Sequence, residues 1–327
     1  MTDFLPRFAA AMALGACLLA ATASANADAR YPARPLRMVV PYAAGGPTDT
    51  FARALAESWA RQLGVAVLVD NRSGAGTVVG TEVVAKAVPD GYTMLMTTVA
   101  HAANQRIYAK LPYRTVEDFA AVGLAARAPL VVLVNKSVPA ATLPDFIAYL
   151  RTRPGKVNYG SAGVGSAPHL AAELLNHMAG TYAVHVPYRG SAPALADLIG
   201  GHVEFMLDST ASGLAQVRSG SVRLLATSMR RRLPQTPDTP AVAEAVPGYE
   251  AYTWNGMFVP AATPAPVIRK LSDSLGRALQ DPALKSKAHG LGLMLEEQPT
   301  AAALDAFLQV ELDKWGRVAA AARITAE

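Results

Sequence analysis

The chain is nearly without cysteine. Its single thiol, Cys17, lies in an N-terminal apolar stretch, so the rest of the chain has no disulfide and no cysteine metal site. The six histidines include no H-E-x-x-H pair, which argues against a catalytic metal. Ser166 and His169 invite a nucleophile-base reading, but no G-x-S-x-G elbow surrounds the serine. Gly74-Ala75-Gly76 with Gly80 has the spacing of a dinucleotide loop. That site needs an acidic residue at the end of the next strand, where this chain has Met94-Leu95-Met96-Thr97-Thr98. After residue 30 there is no long uncharged apolar run, no internal repeat and no low-complexity linker. Among thirty lysines and arginines only Arg230-Arg231-Arg232 forms a run, set among proline and polar residues like a solvated loop. A pI near 9.3 therefore does not read as a nucleic-acid footprint. No enzyme chemistry, cofactor, metal or nucleic acid is expected.

What is present begins with an export signature. Residues 1–8 carry Arg7 and the free amine, 9–23 form an uncharged Ala/Leu/Met run, and Ala23-Ser24-Ala25-Asn26-Ala27 offers small residues at a cleavage site. A signal peptide over 1–27 is expected, cut near Asp28, with the mature protein in the periplasm. The run is too short for a permanent anchor. Leu14-Gly15-Ala16-Cys17 loosely matches a lipoprotein box, yet the apolar run continues beyond Cys17, against a lipid there. The segment holds one Asp and one Arg, so the formal charge of +5 passes to the mature chain unchanged. A mild positive field suits an anionic ligand or an acidic partner.

The mature chain alternates β-branched runs with amphipathic segments, the pattern of an α/β fold around a largely parallel sheet. Strands are expected over 36–42, 65–70, 92–98, 130–134, 157–159, 183–186, 203–207, 222–227, 254–259 and 291–295. Helices are expected over 49–63, 77–88, 143–151, 169–178, 192–199, 264–280 and 300–320. In the last, Leu304, Phe307, Leu308, Leu312, Trp315 and Val318 share one face. Two apolar segments, 125–134 and 252–259, are placed to cross between lobes. This gives one lobe from 28–129 plus 253–327 and another from 130–252.

Ligands of α/β proteins sit at loops that follow strands and open onto helix N-termini. Residues 41–50, PYAAGGPTDT, are such a junction: Gly45 and Gly46 let the backbone turn and approach a ligand, and Thr48 or Asp49 can cap the helix. A plain turn with a cap fits the same residues. Residues 159–169, YGSAGVGSAPH, form a second junction with hydroxyls from Ser161 and Ser166. Tyr188-Arg189-Gly190-Ser191 and Asp208-Ser209-Thr210 follow two later strands and fit the same mouth or ordinary loops. By position alone His101, His169 and His185 read as loop or packing residues.

Taken in order, these pieces resemble the extracytoplasmic solute receptors of tripartite tricarboxylate transporters, the Bug proteins. The resemblance runs from about Tyr31 onward through YPARPLRMVVPYAAGGPTD, VDNRSGAGTVVGTEVVAKAVPDGYTML, LPYRTVEDF, PGKVNYGSAGVGSAPHLAAELL, VHVPYRGSAPALADLIGGHVEFMLD and TPDTPAVAEAVPGYEAYTWNGMFVPAATP. It implies a two-lobe periplasmic binding protein of the type II-like, Venus-flytrap kind, with crossing hinge strands. It implies a monomer that takes a small carboxylate through loop amides and ordered water, and a membrane permease of one large and one small subunit. Carried over by position, the first lobe would contribute Tyr42, Ala43, Gly45, Gly46, Thr48, Asp49, Thr98, His101 and Asn104. The second would contribute Ser161, Gly163, Gly165, Ser166, His169, Tyr188, Gly190 and Asp208. Gln105, Arg114 and Arg189 depart from the family's usual residues, Gln105 nearest the pocket. The same fold also suits a sensor that presents its ligand to a membrane signalling partner.

Overall fold

A computed structural model describes residues 31–326. The expected signal segment, its cleavage site and Cys17 lie outside the described residues.

The strands are β1 (Leu36–Val40), β2 (Val67–Asn71), β3 (Thr93–Thr97), β4 (Phe119–Val134), β5 (Asn158–Ser161), β6 (Val184–Pro187), β7 (Phe205–Ser209), β8 (Arg223–Thr227), β9 (Tyr252–Pro260) and β10 (Met294–Leu295). The helices are α1 (Pro47–Leu63), α2 (Val78–Ala85), α3 (Ala100–Ile107), α4 (Leu143–Arg151), α5 (Ala167–Ala179), α6 (Ser191–Gly200), α7 (Thr210–Arg218), α8 (Val242–Ala245), α9 (Ala265–Leu279), α10 (Pro282–Gly290) and α11 (Ala301–Ala321).

The sheet order is β2-β1-β3-β9-β4-β7-β5-β6, with β8 and β10 added against β4. It contains the same unit twice. β1 lies between β2 and β3 in parallel, and β9 closes that triplet antiparallel. β5 lies between β6 and β7 in parallel, and β4 closes that triplet antiparallel. Each unit is one lobe of the α/β periplasmic-binding-protein fold.

β4 is the common thread. From Phe119 to Pro129 it pairs with β9, and from Leu130 to Val134 it pairs with β7, with β8 on its other side. A sixteen-residue strand was not expected from the sequence, which marks only 130–134 as strand. Its first half is rich in alanine, a weak strand former, and is held extended by β9 along its length, with β10 beside Ala126 and Arg127, rather than by propensity. Ser228, fully buried, fastens the crossing. Its amide donates to Leu130 O (2.9 Å), its hydroxyl accepts from Leu130 N (2.8 Å), and its carbonyl accepts from Ala251 N (2.9 Å).

Four helices also lie where none was expected, the short α8 among them. α3 occupies a segment read as loop, α7 starts directly from β7, and α10 follows Asp281, whose side chain accepts from Ala283 N at 2.8 Å. β10 is two residues long rather than five, because only Met294 and Leu295 reach β4.

Leu36, Met38 and Val40 of β1 point into one core beneath α1 and α9, with Met94, Met96, Met257 and Trp59. Val39, Leu95 and Phe258 point the other way, into a larger core shared with α3, α5 and α11. Alternate residues of each strand thus feed opposite cores, as the two-residue period of a strand requires.

Candidate functional site

In a doubly wound sheet the crevice opens beyond the carboxyl ends of the two strands from which successive connections leave in opposite directions. In the order β2-β1-β3 those strands are β1 and β3; in the order β6-β5-β7 they are β5 and β7. The loops after β1, β3 and β5 begin at Pro41, Thr98 and Ala162, and after β7 the chain passes straight into α7 at Thr210. The sequence marks the first and third by their glycines and hydroxyls and the stretch after β7 only as following a strand; the one after β3 enters through the family resemblance.

The first loop is fastened by Asp49, only 2% exposed at the third position of α1. Its carboxylate accepts from Gly45 N (2.8 Å), Arg53 Nε (3.0 Å) and Asn71 Nδ2 (2.9 Å). Burial alone would raise its pKa, but these bonds together lower it, so the group is held ionised. Asp49 is therefore a brace rather than a free ligand group, and its charge is already matched. Gly46 is the helix cap residue, without a side-chain bond, and Pro47 opens the helix. The amides of Thr48 and its neighbours in the first turn have no intrahelical acceptor. Ala43 and Gly45 are exposed, and Tyr42 and Thr48 are half-buried. The Tyr42 hydroxyl bonds Thr98 Oγ1, joining the first loop to the end of β3.

His101 and Asn104 turn inward on α3. His101 is fully buried against Phe119 and Phe258, with ring centroids 5.0 and 4.9 Å away, and burial pushes its pKa down to about 4. Asn104 donates to Gly76 O (2.8 Å) and Thr77 Oγ1 (3.1 Å). The resemblance gives both a place in a ligand-lining loop, and position alone also allows His101 a packing role; on α3, His101 packs among aromatic rings and Asn104 ties down Gly76 and Thr77.

In the second lobe the loop after β5 is bonded to itself. Gly163 N donates to Ser161 Oγ (3.1 Å), and Gly165 N donates to His169 Nδ1 (3.1 Å). Ser166 Oγ caps α5 and donates to Gly163 O (2.6 Å). His169 stacks on His185 at 3.8 Å, and His185 Nε2 shares a hydrogen bond with Ser161 Oγ (2.6 Å). Burial lowers both imidazoles, His169 to about 3 with help from its neighbour and His185 to about 4. The stack is thus neutral at ordinary pH.

Tyr188 donates its hydroxyl to Asp197 (2.6 Å) and its amide to Ser161 O (3.1 Å), and Gly190 precedes α6. Asp208, almost fully buried, accepts from Ser212 Oγ at the start of α7, and burial raises its pKa. Arg189 makes no ion pair among the described residues.

Two contacts join the units near these loops. A side-chain carbon at Gly165, whose φ is +74°, would stand 3.2 Å from Ile107 of α3. Thr210 Oγ1 donates to Gly292 O at 3.2 Å. One polar residue in this region was not anticipated. Asn255 of β9 stands in the register of a strand flanked by Trp254, Gly256 and Met257, and its only sequence signal is polarity inside an apolar run.

The chain is 36% identical over 297 residues to a UPF0065 protein from the ttuE-ttuC' intergenic region of Agrobacterium vitis, covering 90% of this chain and 86% of that one. Among solved structures it resembles the periplasmic binding protein BugD, with TM-score 0.81 and 35% identity, over 90% of this chain and 100% of the other. It also resembles R. palustris Rpa4515 solved with adipate, at TM-score 0.80 and 33% identity, over 88% and 97%. MatC from Rhodopseudomonas palustris, solved with bound malate, matches at TM-score 0.79 and 33% identity, over 88% and 99%. These relatives are substrate-binding receptors, not enzymes. No helix among the described residues is long and apolar enough to cross a membrane. The family model for the tripartite tricarboxylate transporter family receptor matches residues 51–323, and the chain belongs to that family.

Proposed function

We propose that this protein captures a small carboxylate between its lobes in the periplasm and delivers it to a two-subunit tripartite permease. The observation that carries this reading is the placement of the loops after β1, β3 and β5, and of the start of α7, at the switch points of both parallel triplets. The solved relatives with adipate and malate support a carboxylate as the ligand class. The first-turn amides of α1 supply donors and the favourable end of a helix dipole. The glycines and hydroxyls of the loop after β5 close over it. The signal is cleaved near Asp28 on export, and the receptor acts as a monomer.

Binding contacts from both lobes favour the closed form, since only closure brings both sets of loops to the ligand. A thermal-shift screen of mono-, di- and hydroxycarboxylates on the mature protein should find at least one stabilising compound. At a hundred times its dissociation constant that compound should add about 2.7 kcal/mol. Scattering profiles of the ligand-free protein and of the complex should differ by compaction. A screen in which every carboxylate leaves the melting temperature unmoved rules the reading out.

A further inference from the structure

The polar end of one sheet face points to what the ligand carries besides its carboxylate. β1, β3 and β9 are neighbours, and Val40, Met96 and Met257 lie in the same core beneath α1 and α9. Side chains on a strand return to the same face every second residue. Two positions further toward the crevice are Tyr42 after β1, Thr98 after β3 and Asn255 in β9. The register agrees: Met96 pairs with Met257 and Thr97 with Gly256, so Thr98 and Asn255 are the next cross-strand neighbours. The apolar row thus ends in a polar row at the mouth of the crevice, beside Ala126, the partner of Asn255 on β4.

Two members of that row satisfy each other, since the Tyr42 hydroxyl bonds Thr98 Oγ1. Asn255 does not share in it. It is 3% exposed, yet its Oδ1 has no hydrogen-bond partner among the described residues. An unmatched buried acceptor is costly, and a fold keeps one where something else supplies the donor. A ligand carboxylate cannot supply it, because an ionised carboxylate only accepts. A hydroxyl or an ammonium can.

We infer that Asn255 reads a hydrogen-bond donor on the ligand, so that this receptor takes a carboxylate bearing a hydroxyl or ammonium group in preference to its bare counterpart. The inference rests on the carboxylate-receptor reading above. It assigns the selectivity to the crossing strand, where neither the glycine-rich loops nor the helix N-termini would place it. The loops recognise the anion, and Asn255 recognises what stands next to it.

The test is calorimetry on the mature protein with matched pairs: succinate against malate and aspartate, glutarate against 2-hydroxyglutarate, phenylacetate against mandelate. In whichever set binds, the donor-bearing member should bind at least about tenfold more tightly, as expected where a buried polar group is otherwise left unmatched. Asn255→Leu, close in shape, should erase that preference while the bare acid keeps its affinity. The ligand-free melting temperature of this variant should hold or rise, because no protein hydrogen bond is lost. Equal affinity within a set, a preference that survives Asn255→Leu, or a ligand-free variant that unfolds readily each overturns the inference. Binding without preference leaves the receptor reading standing; no binding by any acid removes that reading and the inference together.

Discussion

At the scale of single residues, the backbone burden in the first loop falls on one glycine of the pair. Gly45 has φ +83°, the left-handed region, whereas Gly46 has ordinary extended angles and only Ala43 O, at 3.5 Å, near an added side-chain carbon. Gly45→Ala should therefore cost about 1–2 kcal/mol in the loop and weaken carboxylate binding by roughly tenfold. Gly46→Ala should bind within about twofold of the parent, a difference calorimetry resolves easily. The glycine pair itself was plain in the sequence. Which member needed the unusual angle was not, because that depends on how Asp49 pulls Gly45 N inward. For the same reason Asp49 read equally well as a ligand group or a cap, and only Arg53 and Asn71 around it show a brace. By position His101 reads as a loop or packing residue; the aromatic walls that bury it come from Phe119 and Phe258, far along the chain.

At the scale of elements, α11 shows how a legible pattern can hide its key residue. The stripe Leu304, Leu308, Trp315 and Val318 is buried as helical spacing predicts, yet Glu311 lies buried within it. Its Oε2 accepts from Trp254 Nε1 of β9 at 2.8 Å and from Trp315 Nε1 at 2.7 Å. Lys314 approaches the same carboxylate at 4.0 Å and donates to Glu250 O. A charge inside an apolar stripe reads as an interruption until both indoles are in view. Removing it in Glu311→Ala would strand two buried indole donors, at about 1–3 kcal/mol each. Urea unfolding should show a loss of that order, whereas Glu311→Gln, which keeps an acceptor, should lose clearly less. Helices without such a stripe, α3 and α10, escaped sequence reading because short alanine- or lysine-rich stretches have no strong period to detect.

At the scale of the whole molecule, the two-lobe α/β design and its crossings were legible from the alternation of elements. The unbroken length of β4 was not, since pairing on both flanks decides it. The molecule also has a pH signature. His101, His169 and His185 are kept neutral by burial, at about 4, 3 and 4, below the usual histidine value near 6.5. An unfolded chain binds these protons sooner, so the stability they contribute is complete above about pH 6.5 and drains away as pH falls toward 4. Each histidine adds a slope of up to roughly 1.4 kcal/mol per pH unit. Asp208 and Glu173, raised by burial, act in the opposite sense at the acid end. Melting temperature should accordingly drop between pH 7.5 and pH 5.5, and His169→Gln should flatten the drop. A profile level across that range would contradict the neutral stack. The interleaving of the lobes has a further consequence, for the order of assembly. β3 finds its neighbour β9 only after the whole of the other lobe has been made, since Leu95 pairs with Phe258. The middle segment needs no such wait: β5, β6 and β7 pair among themselves and with the adjacent end of β4. Contacts that close long loops form slowly. The middle lobe is therefore placed to fold first, as a template whose two loose ends, β4 and β9, then zip together and draw the outer lobe shut around them.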